Sequence, residues 1–257
     1  SGAIGIEFAS FYNDLGVDIT VVEVLDRILP AEDIDISNFA LKSFEKQGIK
    51  IKTSSMVKSL KTSKDKISVQ IETMAGSEEV SVEKVILAVG IIGNTENLGL
   101  ENTSAKVSNG QLVVDKWGAT HEPGLHAIGD LVGAPWLAHK ASHEGVICVE
   151  RIAGLENVHP LDSSNIPGCT YSRPQVASVG LTQKLAEDAG HKVRVGHFPF
   201  IGNGKAIALG EMDGFVKTVF DATTGELLGA HMIGAEVTEM IQGLSLIHIS
   251  EPTRQPC

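Results

Sequence analysis

Two glycines at the very start of the chain constrain it most. In "SGAIGIEFASFYNDLG" (Ser1–Gly16), Gly2 and Gly5 are followed by Ile4, Phe8, Phe11, Tyr12 and Leu15 at helical spacing, and Gly16 stands where a helix C′ residue belongs. Gly2 and Gly5 have the spacing of the second and third glycines of GxGxxG, with the first expected just before Ser1. Gly2 would let a pyrophosphate approach the backbone, and Gly5 would let the helix lie close to a sheet. The helix start would supply free amides and a positive dipole end. Such a turn is useful only behind a strand, so the sequence reads as beginning inside the motif, as a truncated chain.

"VDITVVEV" (Val17–Val24) then reads as a buried strand rich in β-branched residues. Glu23 closes it, 21 residues beyond Gly2. A carboxylate there accepts hydrogen bonds from adenosine ribose hydroxyls and repels a 2′-phosphate, which points to NAD rather than NADP. Arg27 alone makes no phosphate pocket. Taken separately, a glycine pair in a βα turn or a glutamate at a strand end is commonplace; the pairing gives them weight.

A helix over "DISNFALKSFEKQG", with Ile36, Phe39, Ala40, Leu41 and Phe44 inward, and a strand at "IKI" (Ile49–Ile51) complete a turn–helix–strand–helix–strand order. That order belongs to α/β architecture with a parallel, helix-covered sheet. The period then changes. "MVKSLKTS", "KISVQIET" and "EEVSVE" alternate like an antiparallel meander, with Lys58, Lys61, Lys64 and Lys66 as a solvated basic edge. "KVILAVG" (Lys84–Gly90) reads as a buried parallel strand, and the following residues through Gly110 as loop. Two strands around a Pro-Gly turn are expected in "GQLVVDKWGATHEPGLHAIGD", then a helix closed by Gly154. Beyond a linker-like stretch come a strand at "CTYSRPQVASVG", a short helix capped by Thr182, a strand at "HKVRVGHFPF", a hairpin with "ATTGE" at its tip, and a helix begun by "EVTEMIQG" that the sequence leaves unfinished. The expected domains are 1–91, 92–160 and 161–243, with 244–257 set apart.

Composition excludes some functions. Of 257 residues, 21 are basic and 32 acidic, a net charge of −11 that suits no nucleic-acid partner. No apolar run of 18 residues exists, so no membrane helix is expected. Cys148, Cys169 and Cys257 fit neither a zinc site nor a disulfide framework and read as incidental thiols. His139 and His143 stand at i, i+4, but no third ligand is evident and Glu144 is out of place for HExxH, so no metal is expected. A second acidic strand end, Asp130 in "GLHAIGD", precedes a Gly-Pro loop and a helix, as at a second ligand edge.

The segments "SGAIGIEFAS", "VVEVLDRILP", "AVGIIGNTENLGLE", "PGLHAIGD", "PWLAHKASHEG", "YSRPQVASVGLT" and "GAHMIGAEVTEMI" occur in the order found in flavin-dependent pyridine nucleotide–disulfide oxidoreductases. The chain resembles that family over about residues 1–243, and its wording is similar to the members that reoxidise dihydrolipoamide with NAD+ in 2-oxo-acid dehydrogenase complexes. The resemblance implies a Rossmann-type NAD-binding domain lacking its first strand, part of an FAD-binding domain, and an α+β dimerisation domain. It implies FAD and NAD as cofactors, a homodimer, lipoyl domains as partners, and a bacterial cytoplasmic or mitochondrial-matrix location, the former favoured. It further implies that Gly2, Ala3, Ile4 and Gly5 form the NAD pyrophosphate turn. Glu7 would lie near the nicotinamide and flavin, Glu23 would bind the ribose, Val57 would touch the adenine side, and Gly90 would offer a backbone contact. Asp130 would bind the flavin ribityl chain, with Trp136, Leu137, Ala138 and His139 against the flavin ring.

The family's chemistry also uses a CxxxxC disulfide and a C-terminal His–Glu pair, and this sequence contains neither, so no catalytic residue is assigned and the isolated chain is expected to be inactive. Ile91-Ile92-Gly93 departs from the Arg and Pro of many relatives. "LSLIHISEPTRQPC" (Leu244–Cys257) departs from the pattern altogether, breaks the helix, and reads as translated non-native DNA; His248 and Glu251 are not taken for the catalytic pair. Two alternatives stay open: a glutathione, mercuric or transhydrogenase-type relative, and a non-catalytic dinucleotide-binding or dimerisation module.

Overall fold

The computed structural model describes residues 1–250, with side chains through 245. The chain forms two compact units, one of Ser1–Val89 together with the segment from Pro167 onward, the other of Gly90–Ile166.

In the first unit, α1 (Ala3–Asp14) leads to β1 (Thr20–Val22), α2 (Ile34–Lys46) and β2 (Lys50–Lys52). β1 and β2 pair in parallel, Val21 against Ile51, with α2 as the crossover. Asp33 caps α2 by accepting from the Asp35 amide at 3.0 Å, and Gly48, at φ +93°, ends the helix region as a β-carbon would not readily allow. Ile36, Ala40 and Phe44 are buried on its inner side, as the 3.6-residue period demands. β3 (Met56–Thr62), β4 (Ile67–Thr73) and β5 (Gly76–Val82) form the antiparallel meander.

The expected strand over 84–90 does not form. Those residues have no regular structure, and Ile86, Leu87 and Val89 are 50%, 73% and 91% exposed. No strand pairs with them among the described residues, and an apolar run alone does not make a strand.

In the second unit, β6 (Val107–Ser108) and β7 (Gln111–Leu112) make a small hairpin in what reads from sequence partly as loop. Asn109 and Gly110 are its tip, both at positive φ, the Asn-Gly signature of a tight hairpin. The Pro-Gly turn at 123–124 is closed by one bridge, Ala119 to His126, rather than by two full strands. α3 (Ala138–Ile152) follows.

Returning to the first unit, β8 (Gly168–Thr170) and β9 (Gln175–Gly180) are two antiparallel strands where the sequence suggests one. Then come α4 (Gln183–Asp188), β10 (Val193–Pro199), α5 (Gly204–Leu209), β11 (Phe215–Asp221), β12 (Leu227–Gly234) and α6 (Val237–Ser250). The sheet order is β10-β11-β12-β9-β8. α6 runs through Ser250, where the sequence suggests a break at Leu244; no glycine or proline interrupts 244–250. Pro252, Pro256 and Glu251 lie outside the described residues.

β12 is buried along its whole length because both of its faces are covered. Ile233 joins Ile6, Ala9, Ile28, Ile36 and Phe44 in one core, while Ala230 and Met232 join Val237 and Ile241 of α6 in another. The period-two alternation of a strand places these neighbours in different cores. The Thr182 hydroxyl accepts from the Leu185 amide at 3.2 Å to start α4. Thr182→Ala is expected to cost about 1 kcal/mol in urea unfolding.

Candidate functional site

The Gly2–Gly5 turn and Glu23 come together in the first unit. One Glu23 carboxylate oxygen accepts from the Ser1 hydroxyl at 2.8 Å. The other accepts from the Leu25 amide at 2.9 Å, a short side-chain turn that holds the carboxylate at the strand's end. The Glu23 backbone extends the parallel ladder, its amide donating to Lys52 O and its carbonyl accepting from the Ser55 amide. Burial pushes the Glu23 carboxyl up, but hydrogen bonds, that from the Leu25 amide first among them, outweigh it and hold the carboxyl below the usual carboxylate range. Glu23 is therefore an anion at neutral pH.

α1 starts at Gly2 with no side-chain cap, and the first intrahelical bond runs from the Ile6 amide to Gly2 O, so the amides of Ala3, Ile4 and Gly5 precede the helical ladder. Gly2 is extended, at φ −67°, and a β-carbon there would meet no atom within 4 Å. Neither backbone strain nor internal packing calls for glycine at this position. Gly2→Ala is expected to leave the melting temperature unchanged and to weaken NADH binding severalfold by fluorescence titration. Gly5 lies closer to a neighbour, with a β-carbon placed 3.5 Å from Ala88 Cβ.

Beside Glu23 a shallow groove of about 300 Å³ is lined by Val24, Ser54, Ser55, Met56, Glu72, Thr73 and Met74. Val57 is the next residue, 41% exposed. Arg27 turns away: its guanidinium donates to Pro30 O at 2.9 Å. Glu7 accepts from the Tyr171 amide at 2.8 Å, which ties α1 to the start of the large sheet.

In the second unit, Gly129–Val132 forms a 3₁₀ turn after the bridge residues. Gly129 has φ +73°, a left-handed conformation that favours glycine, and its neighbour Asp130 is exposed. Two residues missed in the sequence shape this turn. Glu144 accepts from the Gly129 amide at 2.7 Å, and the buried Lys140 ammonium donates to Gly129 O at 3.2 Å and Gly133 O at 2.9 Å. Lys140 and Glu144 also pair with each other at 3.1 Å. Their i, i+4 spacing with opposite charges was a visible signal, although the backbone they clamp was not. α3 begins after Leu137 without a side-chain cap, so Ala138 and His139 sit in a first turn whose amides precede the ladder; Trp136 is 37% exposed. A cavity of about 150 Å³ is walled by Trp117, Ile128, Val132 and Ile147 with Lys140 and Glu144. Gly90 opens the unit at φ +129°. Among the described residues, no group of three or more His, Cys, Asp or Glu side chains is placed to hold a metal ion. No helix among them is long and apolar enough to cross a membrane.

A glycine turn opening a helix, a parallel βαβ unit and an antiparallel sheet packed on it define a two-part dinucleotide oxidoreductase architecture. The chain belongs to the pyridine nucleotide-disulphide oxidoreductases: the family model matches residues 1–145, and that family's dimerisation domain matches residues 166–253. The second match extends beyond Gly243 into the segment that the sequence sets apart. Among its relatives are the dihydrolipoyl dehydrogenases of Rhizobium etli, 55% identical, and Zymomonas mobilis, 53% identical, over 99% and 98% of this chain. The chain spans about half of their length, 53% and 54%. LpdA of Mycobacterium tuberculosis superposes with a TM-score of 0.88 at 27% identity, over 97% of this chain and 54% of the other. The flavoprotein disulfide reductase RclA of Escherichia coli gives 0.89 at 25% identity, over 97% and 56%.

Proposed function

We propose that this chain is the NAD-binding and dimerisation portion of a dihydrolipoyl dehydrogenase, a bacterial cytoplasmic enzyme that reoxidises dihydrolipoamide with NAD+. The observation that carries the reading is Glu23, an ionised carboxylate hydrogen-bonded to the first residue of the open glycine turn, in a chain whose relatives carry that name. Glu23 accepts from the ribose hydroxyls, the α1 amides face the pyrophosphate across the space left by Gly2, and the groove from Val24 to Met74, with Val57 beside it, takes the adenine. Ala3, Ile4 and Gly5 contribute backbone, as does Gly90, and Glu7 orients the helix. Asp130 receives hydroxyls of a flavin ribityl chain, on a turn held rigid by Lys140 and Glu144, with Trp136, Leu137, Ala138 and His139 along the flavin ring. FAD and NAD, when bound by these residues, would supply the redox chemistry of dithiol oxidation. The dimerisation domain makes a homodimer, and lipoyl domains bring the substrate.

The nucleotide half of the reading is tested by titrating the chain with NADH and NADPH. NADH is expected to bind more tightly; tighter NADPH binding would favour a glutathione-reductase-like relative and overturn the assignment. The substrate half is tested on a complete reading frame containing this chain, loaded with flavin. It should reduce NAD+ with dihydrolipoamide and show no glutathione reductase activity, whereas the 257-residue chain, having no CxxxxC pair, should turn over neither.

A further inference from the structure

The most deeply buried charge in the dimerisation sheet is Lys217, 0% exposed, on β11. Its ammonium donates to Asp33 at 2.8 Å and Asp35 at 2.7 Å, both at the start of α2 in the dinucleotide segment. Asp33 is itself 1% exposed and accepts from the Gln183 amide at 3.1 Å with its other oxygen. Strand β11, through Lys217, and the start of α4, through the Gln183 amide, therefore both hold the β1–α2 loop at one carboxylate.

That loop leads straight back to the nucleotide turn. Leu29 adopts φ +47°, rare for a side chain of this kind, and is 2% exposed in the core that also holds Ile28, Val176 and Ile233. Its carbonyl accepts from the Ser37 hydroxyl at 3.1 Å and from the Glu32 amide at 2.9 Å. Its own amide donates to Ser1 O at 3.0 Å. Ser1 precedes Gly2 and donates to Glu23. An unbroken set of contacts thus runs from Lys217 through Asp33, Ser37 and Leu29 to Ser1 and Glu23.

We infer that Lys217 is a positioning residue for the dinucleotide site: by fixing the Leu29–Asp33 loop, the dimerisation sheet sets where Ser1 and the Glu23 carboxylate stand relative to the glycine turn. This deepens the proposed NAD site and rests on that reading. The left-handed loop at Leu29 joins the two ends, and the surrounding core together with the Ser37 and Glu32 donors holds it in place.

The test uses the full chain and two variants. Asp33→Asn with Lys217→Met keeps the α2 cap, because asparagine caps as well as aspartate, and removes the charged tie to the sheet. Ser37→Ala cuts one link nearer the turn while leaving the ion pair intact. Both are expected to raise the dissociation constant for NADH about three- to tenfold and to speed hydrogen exchange at the Leu25 and Leu29 amides. Asn203→Ala, which removes the α5 cap in the same sheet domain, serves as a control for general destabilisation and should leave both readings unchanged. Unchanged NADH affinity and unchanged Leu29 exchange in the two variants would overturn the inference, as would an equal loss in the Asn203 variant. If the parent chain bound no NADH, the NAD reading would fall on its own. Leu29 exchange would then decide the network, with faster exchange in both variants upholding the link and unaltered exchange refuting it.

Discussion

Glutamine at position 23 is expected to weaken NADH binding by about ten- to a hundredfold while leaving the fold intact. Hydrogen bonds to a charged acceptor are worth about 1.5–3 kcal/mol, and each 1.4 kcal/mol is tenfold in affinity. Glutamine retains the shape of the side chain and one acceptor oxygen. It loses the second acceptor and the charge, so a ribose diol offered to it finds one good partner instead of two. The Ser1 hydroxyl and the Leu25 amide compete for what remains. Discrimination should fall as well: without the carboxylate, a 2′-phosphate meets no repulsion, and the ratio of NADPH to NADH dissociation constants should move toward one. The sign of the pH dependence follows from the lowered carboxyl of Glu23. Its ionised form is complete above the ordinary value of 4.5 and is lost only as the pH falls through the lower folded value, so the parent's affinity should be flat through neutral pH and decline only in acid. The variant should show no such acid limb. Fluorescence titration against both nucleotides decides the matter, and an unchanged NADH constant in Glu23→Gln would remove this residue from the site.

What the sequence made legible was local. Gly2, Gly5 and Glu23 lie within one turn–helix–strand unit, where spacing along the chain translates directly into proximity, and the structure sets Glu23 against Ser1, the residue before Gly2. The meander and the C-terminal hairpin were legible for the same reason, since alternation and a short tip fix their pairing. The residues that hold the site in place were not. Lys217 is 184 residues from Asp33, and no pattern in either segment names the other. Lys140 and Glu144 stand at i, i+4 with opposite charges, but their partners are backbone atoms of a turn whose shape only the fold supplies. The error at 84–90 has the opposite origin. The apolar run reports suitability for a buried strand, while a strand also needs a paired neighbour, and none pairs with it among the described residues. At α6 the unfamiliar wording after Gly243 suggested an end to the helix, yet backbone continuity depends on the absence of glycine and proline rather than on family likeness.

Removing the buried cation alone should have the largest effect on stability. Lys217→Met leaves Asp33, 1% exposed, without its ammonium partner, and breaking a buried ion pair from one side costs about 3–5 kcal/mol. In a chain of this size, each kcal/mol corresponds to roughly 2–4 °C, so the melting temperature should fall by about 6–20 °C. The companion change Asp33→Asn should recover much of that loss, because the stranded charge is then gone while the cap persists. The pH profile gives an independent check. Burial pushes the Asp33 carboxyl up, but the Lys217 ammonium and the Asp35 and Gln183 amides hold it below its ordinary value of 3.8. Its contribution is therefore present above that value and lost as the pH falls through the lower folded one. Burial pushes the Lys217 ammonium down, but Asp33 and Asp35 hold it above its ordinary value of 10.5. Its contribution is complete below that value and lost as the pH rises through the higher folded one. The gap in unfolding free energy between parent and Lys217→Met should accordingly be widest between about pH 4 and 10, and should shrink toward both extremes. Urea unfolding across that range measures it. A gap below about 1 kcal/mol, the size of a solvent-exposed pair, would mean that Asp33 and Lys217 do not hold the dinucleotide segment to the sheet.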